Sequence, residues 1–362
     1  MLLASSAEVR ILLLQKPTFQ MACTGTFQVQ GLNQRSSKIK GHYLPLSEVR
    51  LGVDRTIIFD DIKQSYSKGF ILQPKEDASF VVEGGRYRGA LEVRVTPEGT
   101  SMEVINILPM EDYLRGVVGK EVSFYWPFEV LKTQAIVART YSYDRQIKKK
   151  FLLYDLKGTV DSQVYGGVSA ETGLIDRAVK ETENQVLKYQ GRIFPTFYHS
   201  SCGGETEASH NIWAIELKPL NGRVCIYCKY SPFQKWKVRY TDQQVSRALK
   251  NFPRAQSSKV KEIRVKSRSG SKRVTWMEIV YANKQSIKMS GNTFRLKVGA
   301  DQLRSTIFDV KKRGSYFYFE GRGWGHGIGL CQWGSKGMVD QKGMTAEEIL
   351  LHYYPGSELL HV

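Results

Sequence analysis

The chain has 362 residues, 41% of them hydrophobic and 11% aromatic, enough apolar material for a sizeable core and unlike a disordered chain. Lys and Arg outnumber Asp and Glu by 53 to 35, a net charge of +18, which favours anionic partners without choosing among nucleic acid, anionic lipid and an acidic wall polymer. No apolar run approaches the roughly 18 residues of a membrane-spanning helix, and no nucleic-acid module surrounds the scattered basic residues, so nucleic acid is not an expected partner.

At the N-terminus, Leu2 to Ala7 resembles the tail of a secretory signal peptide, with small residues at Ser5 and Ala7. A basic region and an apolar stretch are both missing. The readings are a start further upstream, another export route, or a ragged terminus before the first strand. Residues 8–100 then read as strands and turns: 9–14, 26–30, 56–59 and 91–95, with turn signals at 83–89 and 97–99. A strand over 102–108 leads into two helices. The first carries Met110, Tyr113, Leu114, Val117 and Val118 on one stripe, with Glu111 and Asp112 in its first turn and Gly119 as a stop. The second starts near Pro127 and buries Leu131, Ala135, Ala138 and Tyr141.

Residues 152–167 look irregular, 171–183 helical with Ala178 and Val179 inward, and 185–189 and 193–198 are predicted strands. From 236 to 320 the chain becomes basic and strand-rich, with a short helix near 242–249 and strands at 263–267, 274–281 and 316–320. Thr345, three residues before Glu348, predicts a capping box for a closing helix ending at Tyr353. The order predicts an α+β fold, strand-rich, with a cleft between a helical and a β part. It reads as one module over 8–355, softly divided at 8–108, 109–235, 236–320 and 321–355.

Three constellations carry chemistry. Glu121 falls in the joint between the two helices, beside Phe124, Tyr125, Trp126 and Phe128. An acid partly desolvated there can hold a proton near neutrality and act as a general acid; the plain alternative is a surface glutamate at a helix end. His199-x2-Cys202 and Cys225-x2-Cys228 are two ligand pairs at the spacing of a closed, structural tetrahedral zinc site. A disulfide from Cys202 to Cys225 or Cys228, or simple buried thiols, would also satisfy the pattern. Cys23 and Cys331 read as buried small residues. Finally, glycine at every second position from Gly321 to Gly329 lets the chain pass close to another backbone or a sugar. Trp324, His326, Gln332 and Trp333 project from that block, either toward carbohydrate or, for His326, as a structural histidine.

Four blocks in order resemble one known family: 121–141, 161–167 (DSQVYGG), 198–207 (YHSSCGGETE) and 321–334 (GRGWGHGIGLCQWG). They are similar to the stage II sporulation protein D and amidase-enhancer family, which includes peptidoglycan lytic transglycosylases. The resemblance implies that Glu121 is the catalytic acid. It implies glycan contacts for Gln134, Arg139, Tyr141, Gln163, Tyr165, Trp324, His326 and Gln332, and zinc near the histidine–serine block. Implied too are peptidoglycan glycan strands as substrate, a cell-wall amidase or divisome protein as partner, and a periplasmic or other extracytoplasmic place in wall remodelling at division or sporulation-like development. A non-catalytic, glycan-gripping enhancer of an amidase is the rival expectation. The chain departs from the family pattern at Val122-Ser123, where Met-Pro is frequent, at Cys331, where serine is common, and at Ser335, where alanine is common.

Overall fold

The computed structural model describes residues 8–32, 39–41, 44–59, 64–150 and 152–362; the signal-like stretch Leu2 to Ala7 lies outside them. The protein is α+β and strand-rich, and the chain divides into two units: Met1–Leu187 with Ile193–Pro195 and Leu359–Val362, and Lys188–Arg192 with Thr196–Glu358.

Among the described residues of the first unit, twelve strands come before α1: β1 (Glu8–Lys16), β2 (Thr18–Cys23), β3 (Phe27–Gly31), β4 (Ile39–Gly41), β5 (Leu44–Leu51), β6 (Ile57–Phe59), β7 (Gln64–Tyr66), β8 (Gly69–Pro74), β9 (Phe80–Val82), β10 (Gly85–Tyr87), β11 (Ala90–Val95) and β12 (Met102–Pro109). After them come α1 (Met110–Glu121), α2 (Phe128–Lys148), β13 (Leu156–Lys157) and α3 (Gly173–Glu181). One sheet has the order β13-β1-β12-β11-β8-β3-β4 and the other β10-β9-β2-β5-β6-β7. β2 and β3 alternate buried with more exposed residues, as period-two geometry requires, whereas β12 is buried along most of its length. Phe19, Met21 and Cys23 of β2 therefore share a core with Phe27, Val29, Phe70, Leu72, Leu91 and Val93 of the other sheet.

β12 runs straight into α1, whose first turn holds Glu111 and Asp112 at the positive end of the helix dipole. Gly119 does not end this helix, which continues to Glu121. A Cβ at Gly119 would collide with Ile175 and the Ala170 carbonyl, and one at Gly116 with the Tyr165 ring. Both glycines serve close packing against the 165–175 segment, so the stop expected from the sequence is a contact. Pro127 precedes α2 as predicted, and α2 is buried on nearly every face, Leu131, Ala135, Ala138 and Tyr141 included.

β14 (Gln185–Tyr189) and β15 (Arg192–Ile193) each have residues in both units, and β16 (Tyr198–His199) follows in the second. The strand expected over 193–198 is broken, since Pro195 has no N–H to give a ladder. Then come β17 (Trp236–Thr241), α4 (Asp242–Leu249), β18 (Val260–Arg268), β19 (Val274–Tyr281), β20 (Ser286–Ser290), α5 (Gly291–Val298), β21 (Phe308–Arg313) and β22 (Tyr316–Gly321). β23 (Leu330–Cys331), α6 (Gln332–Lys342) and α7 (Ala346–Tyr353) complete this unit, and β24 (Glu358–His361) returns the chain to the first. The sheets β17-β22-β21 and β18-β19-β20 share a core with α4 and α5 built on Val245, Leu249, Met277, Ile279, Phe294 and Phe319. The predicted capping box on α7 is formed, Thr345 and Glu348 bonding each other's backbone N–H.

Candidate functional site

Glu121 is the last residue of α1 and is partly buried. Its Oε1 accepts the Val164 N–H at 2.8 Å. The two neighbours of Val164 fix that donor. Gln163 is buried, its Oε1 accepting from the Tyr113 hydroxyl at 3.0 Å and from Ser142 Oγ at 2.9 Å. Tyr165 is buried between Tyr87 and Tyr113, and its hydroxyl donates to Asn106 Oδ1 at 2.9 Å. The 163–165 loop is thus pinned to both helices and to β12, with one backbone N–H aimed at the acid.

Burial pushes the Tyr113 and Tyr141 phenols up, and the Glu121 charge adds to the rise at both. The aromatic wall expected from the sequence is open at Tyr125, which is 84% exposed. Phe128 instead carries cations, with Arg177 at 4.6 Å and Lys132 at 5.8 Å from its ring centre. The 163–165 loop, which sequence order could not place, adds a backbone donor to Glu121.

Arg139 and Gln134 are fully buried on α2. Arg139 makes a two-pronged pair with Glu111, 2.8 Å from Nε to Oε1 and 2.5 Å from Nη2 to Oε2, and also donates to the carbonyls of Gln185 and Val179. One guanidinium thereby ties α1, α2, α3 and the start of β14. Arg139→Met leaves Glu111 without its partner and is expected to lower stability by about 3–5 kcal/mol, read as a drop in the urea midpoint. Lysine is not expected to restore it, lacking the planar fork.

In the second unit, Cys202, Cys225, Cys228 and Cys331 are buried, and their sulfurs lie within 4.8 Å of one another. The fourth member is Cys331, not His199. β16 and β23 pair in parallel with Tyr198 opposite Leu330 and His199 opposite Cys331, which brings a distant cysteine onto the 199–202 segment. His199 is turned away, its Nδ1 3.1 Å from the Ile328 carbonyl.

All four thiols are free, with the Cys202 and Cys228 sulfurs 3.5 Å apart. A tetrahedral zinc with bonds of about 2.3 Å sets its sulfurs roughly 3.8 Å apart. Each sulfur has a polar neighbour: Gly204 N–H to Cys202, Gln234 Nε2 to Cys228, Cys202 and Gly334 N–H to Cys331, and the Tyr353 hydroxyl 3.1 Å from Cys225. N–H groups aimed at sulfur suit thiolates, so the donor set fits a divalent, thiophilic metal. Hydrogen bonds from Cys202 and Cys225 draw the Cys228 thiol down, while burial holds Cys331 well up.

The glycine-rich block is a loop, with Gly323, Gly325, Gly327 and Gly329 all at positive φ. Side chains there would strike Ser201, His199, Arg273 and Phe197 respectively, so the expected close backbone passage is present. Trp324 N–H bonds the Ser201 carbonyl at 2.7 Å, and Ser201 N–H returns to Trp324 at 3.0 Å. The Trp324 ring meets Phe233 edge-on at 4.6 Å and lies 5.3 Å from the Arg304 guanidinium. Gln332 is buried at the start of α6.

His326 sits among Phe197, Trp213 and His199, and its Nδ1 accepts the Ile328 N–H at 3.0 Å. Burial pushes its imidazole down to about 3. The folded state therefore keeps it neutral where the unfolded chain binds a proton, below about pH 6.5. Its contribution is present above that pH and is lost as pH falls toward 3, at up to about 1.4 kcal/mol per pH unit. His326→Gln is expected to flatten that part of the stability–pH curve in urea titrations between pH 6.5 and 4.

These features define an α+β protein that sets one carboxyl group at the end of a buried helix pair and gathers four cysteines in a separate unit. Residues 98–189, which contain Glu121 and the 163–165 loop, match the family described as Stage II sporulation protein, and residues 227–329 match a domain of unknown function. Stage II sporulation protein D of Bacillus subtilis (strain 168) is 26% identical over 296 residues, 75% of this chain and 82% of that one. The Amidase enhancer of the same organism is 30% identical over 289 residues, 68% of this chain but 40% of the relative. An uncharacterized protein of Brachyspira hyodysenteriae is 29% identical over 296 residues, 82% of this chain and 77% of that one. The chain thus carries a stage II sporulation protein domain over residues 98–189 and is similar over most of its length to relatives named Stage II sporulation protein D and Amidase enhancer.

Proposed function

We propose that the protein is a peptidoglycan lytic transglycosylase of the cell envelope, and that Glu121 is its acid and base. The observation that carries this reading is the carboxyl group of Glu121, placed at a helix end inside the matched region and oriented by the Val164 N–H. With Oε1 held as an acceptor, Oε2 carries the transferable proton.

Glu121 gives that proton to the oxygen joining N-acetylmuramic acid to N-acetylglucosamine, and the C1–O bond breaks. The muramic C6 hydroxyl oxygen then bonds to C1, and its proton returns to Glu121. No water is consumed, so one carboxyl group suffices where ordinary glycosidases use a pair. Gln163 and Tyr165 act by fixing Val164, and Arg139 by fixing the helix pair. Gln134, fully buried on α2, is a packing residue rather than the glycan contact expected from the sequence; Tyr141 of the first unit is assigned to glycan contact, and separately Trp324, His326 and Gln332 of the second.

Cys202, Cys225, Cys228 and Cys331 would hold a zinc ion, which with four protein ligands is structural and clamps three chain segments. Incubating the protein with glycan strands stripped of stem peptides is expected to release 1,6-anhydro-ended fragments, detected by mass spectrometry. The name of the Amidase enhancer, 30% identical, favours one other reading, a non-catalytic module that binds glycan and stimulates a wall amidase. Among the described residues no helix is long and apolar enough to cross a membrane.

A further inference from the structure

The net charge is not spread along the chain. Residues 227–329 contain 23 Lys and Arg against six Asp and Glu, leaving 30 against 29 in the rest. Nearly all of the +18 therefore belongs to a region outside the one that holds Glu121.

Within this region, an open groove of about 690 Å³ runs past the start of β17, the ends of β18 and β22, and the start of β21. Six cations line it: Lys229, Lys235, Lys237, Arg268, Lys272 and Arg322. Two are matched by acids on the same wall, Lys237 to Glu320 at 2.8 Å and Arg268 to Asp309 at 2.7 Å. Among the described residues, the other four have no carboxylate within ion-pair distance, and all four are exposed. A recess with an excess of four positive charges focuses field on an anion entering it.

Three features narrow the ligand. The aromatic residues of the groove, Trp236 and Phe308, are 6% and 2% exposed, and the Trp236 indole N–H is spent on the Gly323 carbonyl at 2.9 Å. They offer no stacking platform, which single-stranded nucleic-acid sites use. Three of the four unmatched cations are lysines, point charges that bind phosphate oxygens without fixing one geometry, as suits a flexible polyanion. Finally, a groove accepts a thread and not the plane of a bilayer.

We infer that this groove binds a linear phosphodiester polymer without bases, such as a polyol-phosphate chain of the cell envelope. The binding is electrostatic and separate from chemistry at Glu121.

The test uses the full chain and fluorescently labelled poly(glycerol phosphate), with no glycan present, so its outcome is independent of the transglycosylase reading. Neutralising about four charges predicts a slope of log affinity on log salt near −3, taking about −0.7 per contact as for a single-stranded polyanion. Changing Lys229, Lys235, Lys272 and Arg322 together to glutamine is expected to weaken binding at least tenfold at low salt and flatten that slope, with metal content and circular dichroism unchanged. Changing Lys250, Lys261, Lys284 and Lys288, exposed elsewhere in the same unit, is expected to leave affinity within about twofold. Equal losses in the two quadruple variants would overturn the proposal. So would an absence of wild-type binding at 50 mM salt, a preference of tenfold or more for single-stranded DNA, or binding only to vesicles containing phosphatidylglycerol.

Discussion

Glu121→Gln is expected to fold as the wild type does and to release anhydro-ended fragments at least 10²-fold more slowly, within the 10²–10⁴ range of general acid catalysis. The amide oxygen of glutamine still accepts the Val164 N–H that Oε1 accepts at 2.8 Å. Shape and orientation are therefore kept, and only the transferable proton is lost. Glu121→Asp keeps the proton but draws the carboxyl group back by a methylene, away from Val164. A misplacement of about 1 Å can itself lower a rate by about 10², so the aspartate variant should also be slow, with glycan binding retained in both. If the protein only stimulates an amidase, wild type releases no fragments and the glutamine variant stimulates as well as wild type. Measuring fragment release and amidase stimulation on the same preparations separates the two readings.

Purified protein is expected to carry about one zinc per chain, and Cys331→Ser or Cys228→Ser to lose most of it. His199→Ala is expected to keep it. The cluster joins Cys202, the Cys225–Cys228 turn and Cys331, the residue that caps α6. Free energy of metal binding to such a set is folding free energy. Free metal at about 1,000 times its dissociation constant stabilises the folded state by about 4 kcal/mol. For a unit of 150–250 residues that is about 8–16 °C in melting temperature. A chelator should shift the melting curve of wild type by that amount and leave Cys331→Ser, already destabilised, nearly unmoved. Equal metal loss in His199→Ala, or a Cys202–Cys228 disulfide in metal-free wild type, would contradict the assignment.

Much of this was legible in the residues. The apolar stripes of α1 and α2 bracket Glu121, and the Thr345–Glu348 spacing predicts the start of α7. What escaped was non-local. Gly119 reads equally as a helix stop or as room for a neighbour, and only the packed segment around Ala170 and Ile175 decides it. α6 is hidden because Gly334 and Gly337 weaken its helical pattern; they are needed where it passes Tyr353, Cys225 and Tyr227. The ligand set was sought in two local pairs, but the fourth sulfur arrives through strand pairing between β16 and β23. Cys331, where serine is common in the family, is therefore the departure that completes the cluster. The loop that holds Glu121 was likewise unreadable, since Gln163 and Tyr165 look like substrate contacts in sequence and are buried against Tyr113, Ser142 and Asn106 in the fold.

The most direct test of a single carboxyl group acting through an internal nucleophile is to digest stripped glycan strands in oxygen-18 water and weigh the fragments. The proposed mechanism predicts anhydro ends that contain no heavy oxygen, because C6 supplies the new bond. Reducing ends carrying one heavy oxygen, or no fragments at any protein concentration, would contradict it.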